Sequence, residues 1–72
     1  MLEELSRSQI EYLIDEWIKS ERDREMLKSR LLDGLTFERL SERYELSVTQ
    51  TKTIVRKSKD ILVSKAHYML DY

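Results

Sequence analysis

The stretch that decides the fold is residues 35–57, LTFERLSERYELSVTQTKTIVRK. Thr36 can cap a helix, and four residues after it share one face at helical spacing: Phe37, Leu40, Ser41 and Tyr44. The pattern S-x-x-Q at Ser47–Gln50 is that of a capping box and predicts a second helix start. Only residues 45–46 separate this cap from the preceding helix. The stretch therefore predicts two helices joined by a tight turn, a helix-turn-helix.

The rest of the chain also has a helical pattern, with no proline, one glycine and no alternation typical of strands. The first helix is expected over Ser8–Lys19, with an apolar stripe of Ile10, Leu13, Ile14, Trp17 and Ile18, and with Trp17 in the core. The second is expected after Ser20, with Met26, Leu27, Leu31 and Leu32 facing inward, and ends at Asp33-Gly34, where Gly34 suits the C′ position.

The last helix is expected to start after Ser47 and to reach as far as Met69. Its buried stripe is predicted to be Val48, Thr51, Val55, Ser58, Leu62, Ala66 and Met69. We therefore expect one all-α domain over residues 1–72, a compact helix-turn-helix of about four helices with an extended C-terminal helix. Residues 63–72 form the predicted extension of the last helix.

Composition excludes several classes of site. The chain has no cysteine, so disulfides and thiolate metal sites are impossible. No apolar run is long enough to span a bilayer, and the first eight residues lack the pattern of a signal peptide. The only histidine, His67, has no catalytic partner in the sequence, and no phosphate-loop or zinc-protease motif is present. We expect neither an enzyme nor a bound cofactor, metal or membrane.

Charge is unevenly distributed along the chain. The whole chain has a net charge of −1, but residues 1–46 carry 8 Lys/Arg and 12 Asp/Glu, whereas residues 47–72 carry 5 Lys/Arg and 2 Asp/Glu. A positive face on the C-terminal third is suited to the phosphates of a nucleic acid. The alternative is an ordinary surface of mixed charge.

The polar residues of the last helix point to one kind of ligand. Thr49, Thr53, Arg56 and Lys57 lie opposite the predicted buried stripe, and Gln50 and Lys52 flank them. Gln can read adenine and Arg can read guanine in the major groove, which admits one α-helix. Lys52, Lys57 and Lys59 suit phosphates, and Thr36 and Ser47 lie at helix N-termini, where amides and hydroxyls bind phosphate oxygens. We therefore predict a recognition helix over residues 48–57, the alternative being a solvated helix face.

Four segments together resemble region 4 of bacterial sigma factors: YLIDEWI at 12–18, RDREMLK at 22–28, RLLDGLTFERLSE at 30–42 and LSVTQTKTIVRK at 46–57. The likeness extends over about residues 8–62 and is strongest to small free-standing proteins of phages and mobile elements of Gram-positive bacteria. It implies binding to the −35 promoter element, docking on the flap of the RNA polymerase β subunit, and a cytoplasmic, nucleoid-associated location. The DNA-facing positions of the family match Thr49, Gln50, Lys52, Thr53 and Arg56.

The chain departs from the sigma pattern in three places within the domain. Glu45 stands where the turn usually has glycine, so its backbone is expected to adopt a less favourable conformation. Thr51 stands where a buried Val or Ile is usual, and Ser58 where Ala is usual, so the core is expected to be looser. Region 2, which melts and reads the −10 element, is absent, so this chain does not act as a complete sigma factor by itself.

Two questions stay open at the level of sequence. Ile54, Ile61 and Tyr68 recur every seven residues and could form the seam of a homodimer, or the tail could fold back over the core. The preferred function is a sequence-specific regulator of transcription that binds double-stranded DNA, alone or with RNA polymerase. The alternatives are a protein-interaction module that binds polymerase or acts as an inhibitor, and a small terminase-type packaging protein.

Overall fold

A computed structural model of the chain describes residues 2–70, with side chains described for residues 2–67. Over this part a 3-10 helix at Leu2–Glu4 precedes four α-helices: α1 Arg7–Trp17, α2 Glu21–Leu31, α3 Phe37–Tyr44 and α4 Val48–Leu70. No strand occurs among residues 2–70. The predicted all-α class, with four helices and a long last helix, is confirmed. At 23 residues, α4 is about 35 Å long and accounts for most of the longest dimension of the molecule, 39 Å.

The ends of α1 and α2 differ slightly from the expected ones. α1 starts at Arg7 rather than Ser8 because Ser6 and Gln9 form a capping box: the Gln9 amide donates to Ser6 Oγ at 3.2 Å, and the Ser6 amide donates to Gln9 Oε1 at 2.8 Å. α2 starts after Ser20, as predicted. Its C-cap is Leu32, so Gly34, with φ of 71°, lies one residue beyond the predicted C′ position.

The core lies between α4 and the three shorter helices, each of which packs against it. Its apolar members are Leu2, Leu5, Leu13, Ile14, Ile18, Met26, Leu27, Leu40, Val55, Leu62 and Ala66. The predicted inner stripe of α4 is confirmed: Thr51, Val55, Ser58, Leu62 and Ala66 are buried and Val48 is half-buried, while the Met69 side chain lies outside the described residues. Full burial of a valine or leucine side chain stabilises the fold by about 1.5–3 kcal/mol. Burial of this stripe therefore fixes the rotation of α4 about its own axis.

The prediction that Trp17 belongs to the core is wrong. Trp17 is 41 % exposed, and the Lys65 ammonium lies 4.4 Å from the centroid of its ring. α1 ends at Trp17, and the backbone of Ile18 is extended. Because of this change in backbone direction, the smaller Ile18 side chain is buried at this end of the core, and the indole lies on the surface against α4.

Candidate nucleic-acid interface

The turn between α3 and α4 has a single left-handed residue. Glu45 has φ of 55° and ψ of 43°, the region in which glycine is favoured, so the expected strain at this position is confirmed. The Leu46 amide donates to the Ser41 carbonyl at 2.9 Å, which ties the turn to the last turn of α3. A non-glycine residue in this region costs about 1 kcal/mol or more, and it persists because the surrounding contacts fix the backbone.

The predicted capping box at the start of α4 is also confirmed. The Gln50 amide donates to Ser47 Oγ at 3.0 Å, and the Ser47 amide donates to Gln50 Oε1 at 2.9 Å. The Thr51 hydroxyl donates to the Ser47 carbonyl at 2.9 Å, so the one fully buried hydroxyl expected to loosen the core is satisfied within the helix. Three residues, 45–47, therefore separate the helices, and the first turn of α4 is fixed by side-chain hydrogen bonds.

Most residues predicted to contact DNA are exposed. Thr36, Ser47, Thr49, Gln50, Lys52, Arg56 and Lys57 are exposed, and Thr53 is half-buried. All except Thr36 lie on or just before the first three turns of α4. Thr36 lies at the start of α3 beside Phe37, and the Lys52 ammonium is 5.7 Å from the centroid of the Phe37 ring. The start of α3 and the outer side of α4 thus form one continuous surface.

Hydrogen bonds within the helix limit what two of these side chains can do. Reading adenine by paired hydrogen bonds uses both the oxygen and the nitrogen of a glutamine side chain. Gln50 Oε1 already accepts from the Ser47 amide, so only its second lone pair is open to an adenine amino group while the cap holds the side chain in place. The Thr53 hydroxyl donates to the Thr49 carbonyl at 3.0 Å. Arg56 has no such restraint in its exposed position and is the better candidate for a base contact.

Two arginines of α2 lie on either side of α4, and sequence reasoning did not single them out. Arg30, Phe37, Lys52, Arg56 and Lys59, together with Leu31, Val55 and Asp60, line a cavity of about 250 Å³. The Arg30 guanidinium is 4.2 Å from the centroid of the Phe37 ring and donates to the Leu35 carbonyl at 2.9 Å. These contacts fix the guanidinium on the same side of α4 as Lys52 and Arg56.

Arg22 borders the other side of α4. It lines an open cavity of about 320 Å³ with Leu46, Thr49, Gln50, Thr53 and Ile54. Arg22 and Arg30 are about 12 Å apart along α2, because they are eight residues apart in one helix. Arg22 lies four residues before the buried Met26 and Arg30 four residues after it, and only the packing of α2 against α4 places them beside the recognition helix. No pattern within the sequence of one helix could have found this relation.

The predicted dimer seam is only partly described. Ile54 is half-buried and packs against the core, Ile61 is 43 % exposed, and the Tyr68 side chain lies outside the described residues. Residues 62–66 continue α4, and Leu62 and Ala66 on its inner side are buried against the bundle. The described part of the tail therefore covers the core as part of one uninterrupted helix rather than by a reversal of the chain. Whether Ile54, Ile61 and Tyr68 form a seam stays a prediction.

Other kinds of site are not seen in the described part of the chain. Among these residues no group of three or more His, Cys, Asp or Glu is placed to hold a metal ion, and no helix is both long and apolar enough to cross a bilayer. His67 is exposed.

Comparison with known proteins gives no match: no protein family, no curated protein and no solved structure is significantly similar to the chain. The resemblance to sigma region 4 therefore stays a prediction.

Proposed function

We propose that the chain binds double-stranded DNA with the first three turns of α4 in the major groove and acts as a sequence-specific regulator of transcription rather than as an enzyme. The observation that carries this proposal is the charge of the outer surface of α4. Residues 48–59 include four Lys/Arg and no Asp/Glu, and Arg22 and Arg30 of α2 add a cation on each side. A cationic helix framed by further cations complements a groove bordered by two phosphate backbones.

The side chains divide into two roles on this proposal. Lys52 and Arg30 lie around Phe37 at the side of α4 and neutralise phosphates of one strand, and Arg22 does so on the other side. Arg56, on the exposed surface of α4, contacts base edges, for which guanine is the preferred partner of arginine. Thr36 and Ser47 keep a hydroxyl proton that can be donated to a phosphate, since each hydroxyl oxygen accepts from a backbone amide.

The test starts with selection of bound sequences from random duplex DNA, followed by titration of the selected duplex over a range of salt concentrations. We expect Arg56→Ala to weaken binding by about 1–3 kcal/mol and to relax the preference at one base pair. Lys52→Ala is expected to weaken binding to all sequences alike and to reduce the slope of log affinity against log salt by about 1.

Lys65→Ala is the matched control, because it removes the same charge from α4 about 13 Å beyond Arg56 along the helix. It should leave both the affinity and the slope unchanged. If the Arg56→Ala, Lys52→Ala double variant binds the selected duplex as tightly as the control does, α4 is not a recognition helix.

A second candidate function is binding to a protein, and exposed aromatic residues favour it. Tyr12 and Trp17 of α1 are 56 % and 41 % exposed, and Ile61 of α4 is also exposed. To test this candidate, binding to bacterial RNA polymerase core enzyme is compared between the original chain and the variant Trp17→Ala, Ile61→Ala.

For the homodimer, sedimentation should show a dimer mass that Ile61→Glu abolishes, whereas a monomer mass at high concentration rules out the seam.

A further inference from the structure

The outermost side of α4 begins with two threonines. Thr49 and Thr53 are one turn apart, and Thr53 lies on the opposite side of the helix from the buried Val55 and Leu62. The Thr53 hydroxyl donates to the Thr49 carbonyl at 3.0 Å, so its proton is already used within the helix. This hydroxyl therefore does not donate to a base, whereas the methyl group of Thr53 stays available for an apolar contact.

The same two threonines line the open cavity of about 320 Å³ beside α4, and two further walls of this cavity are apolar. They are formed by Leu46, in the turn before α4, and by Ile54. Both side chains are half-buried and pack against the core, so the part of each that is left uncovered faces the cavity. An apolar recess in a polar and cationic surface favours a ligand with a small apolar group, because contact removes apolar surface from water on both sides.

The major groove of DNA offers one such group, the 5-methyl group of thymine, and the methyl group of threonine is one of the side-chain groups that contact it. The cavity shares Thr49, Gln50 and Thr53 with the surface that we propose to face DNA. A duplex placed on that surface therefore covers the cavity. A protein segment would have to bind the same side of α4 in place of the duplex.

We infer that Thr53, with Thr49 beside it, contacts the 5-methyl group of a thymine, so that the chain reads a T·A base pair as well as the guanine assigned to Arg56. The inference rests on the proposed function and adds a second specific base to it. Thr53 and Arg56 are three residues apart, or about 4.5 Å along the helix axis. Base pairs are about 3.4 Å apart along the duplex, so the thymine is expected within about two base pairs of the guanine.

The experiment removes the same methyl contact from either side. In the selected duplex each thymine is replaced in turn by uracil, which lacks only the 5-methyl group. Affinity for the thymine and uracil duplexes is measured for the original chain, for Thr53→Ser and for Thr53→Val. Serine keeps the hydroxyl and loses the methyl group, whereas valine keeps a methyl group and loses the hydroxyl. Arg56→Ala is the control for a base contact of a different kind, and circular dichroism checks that each variant is folded.

We expect one uracil substitution, within about two base pairs of the guanine, to lower the affinity of the original chain about fourfold, the effect of one buried methyl group. Uracil at other positions should have little effect. Thr53→Ser should bind the thymine duplex about fourfold more weakly and no longer distinguish it from the uracil duplex. Thr53→Val should retain the distinction. Arg56→Ala should weaken binding to both duplexes and leave the ratio of the two affinities unchanged.

Three results would overturn this inference: a selected site without thymine near the guanine, equal affinity for every thymine and uracil pair, or a Thr53→Ser variant that still distinguishes the two duplexes. The proposed function survives each of them as long as Arg56→Ala weakens binding to the selected duplex. If no duplex is bound in a salt-dependent manner, both proposals fail.

Discussion

The two halves of α4 have the same inner side but different outer sides. Residues 48–59 and residues 60–67 both bury one residue per turn against the bundle. Outside, the first half carries four cations and no acid, whereas the second carries one acid, Asp60, and one lysine, Lys65, which lies over Trp17. One helix can therefore serve two purposes along its length. Packing against the bundle is continuous along α4, whereas the surface suited to phosphates is confined to its first half.

The largest expected effect is on the inner side of the second half. Leu62 is fully buried, and Leu62→Ala should lower the free energy of unfolding by about 2–5 kcal/mol through lost burial and a cavity. A domain of this size is marginally stable, so the variant could be largely unfolded at 37 °C. Urea denaturation followed by circular dichroism measures the change. Ile61→Ala, at the exposed neighbouring position, is the control and should cost much less; equal losses would show that burial does not distinguish the two sides of α4.

A smaller effect is expected at the start of the first half. Ser47→Ala removes the acceptor of the Gln50 amide hydrogen bond and should destabilise the fold by about 0.5–2 kcal/mol. DNA affinity should fall as well, because the first turn of α4 would fray. Ser64→Ala, an exposed serine in the second half, is the matched control and should be neutral or slightly stabilising. Thermal unfolding and DNA titration together check this; loss of stability with unchanged affinity would separate the cap from recognition.

The turn before α4 offers an increase in stability. Glu45→Gly should raise the free energy of unfolding by about 1 kcal/mol, because the left-handed backbone at this position no longer crowds a Cβ atom. Glu45→Ala, which keeps the Cβ atom, should show no such gain. Urea denaturation distinguishes the two variants. If both are equally stabilised, the gain comes from removing the negative charge beside α4 rather than from relief of strain.

The smallest effect is expected on the outer side of the second half. Lys65→Ala should destabilise the fold by about 0.5–1 kcal/mol, because its ammonium no longer contacts the Trp17 ring, and Lys65→Arg should retain this contact. Trp17 is the only tryptophan, so its fluorescence reports the contact directly. Weaker DNA binding by Lys65→Ala would contradict the difference between the two halves of α4, since it would extend the phosphate-binding surface to the second half of the helix.

Local signals predicted most of the fold because each element has its own cap and its own apolar period. Ser20, Thr36 and Ser47 cap the helices that they were predicted to cap, and the stripe from Thr51 to Ala66 is buried. Trp17 was misjudged because periodicity gives the face of a residue but not the place where its helix ends. The 3-10 helix at Leu2–Glu4 and the cap at Ser6 were missed, since Leu2 and Leu5 are buried only in the folded bundle.

The candidate site was less predictable than the fold. The outward positions of α4 follow from its own sequence, and they are exposed or half-buried as expected. Arg22 and Arg30 belong to α2, and their place beside α4 depends on how α2 packs. The restraint on Gln50 was missed as well. The capping box was recognised from its pattern, but its Gln50 side-chain oxygen was also assigned to adenine.

The shared use of Gln50 Oε1 makes the Ser47 amide proton a reporter of how the chain holds its target. In the free chain this proton is bonded to Gln50 Oε1, so it should exchange with deuterium from the solvent more slowly than an unbonded amide. If the glutamine leaves the cap to contact a base, exchange at Ser47 quickens on binding while the neighbouring amides slow down. If the glutamine stays on its own helix, exchange at Ser47 slows with the others, and a base contact by Gln50 then uses the second lone pair of the same oxygen.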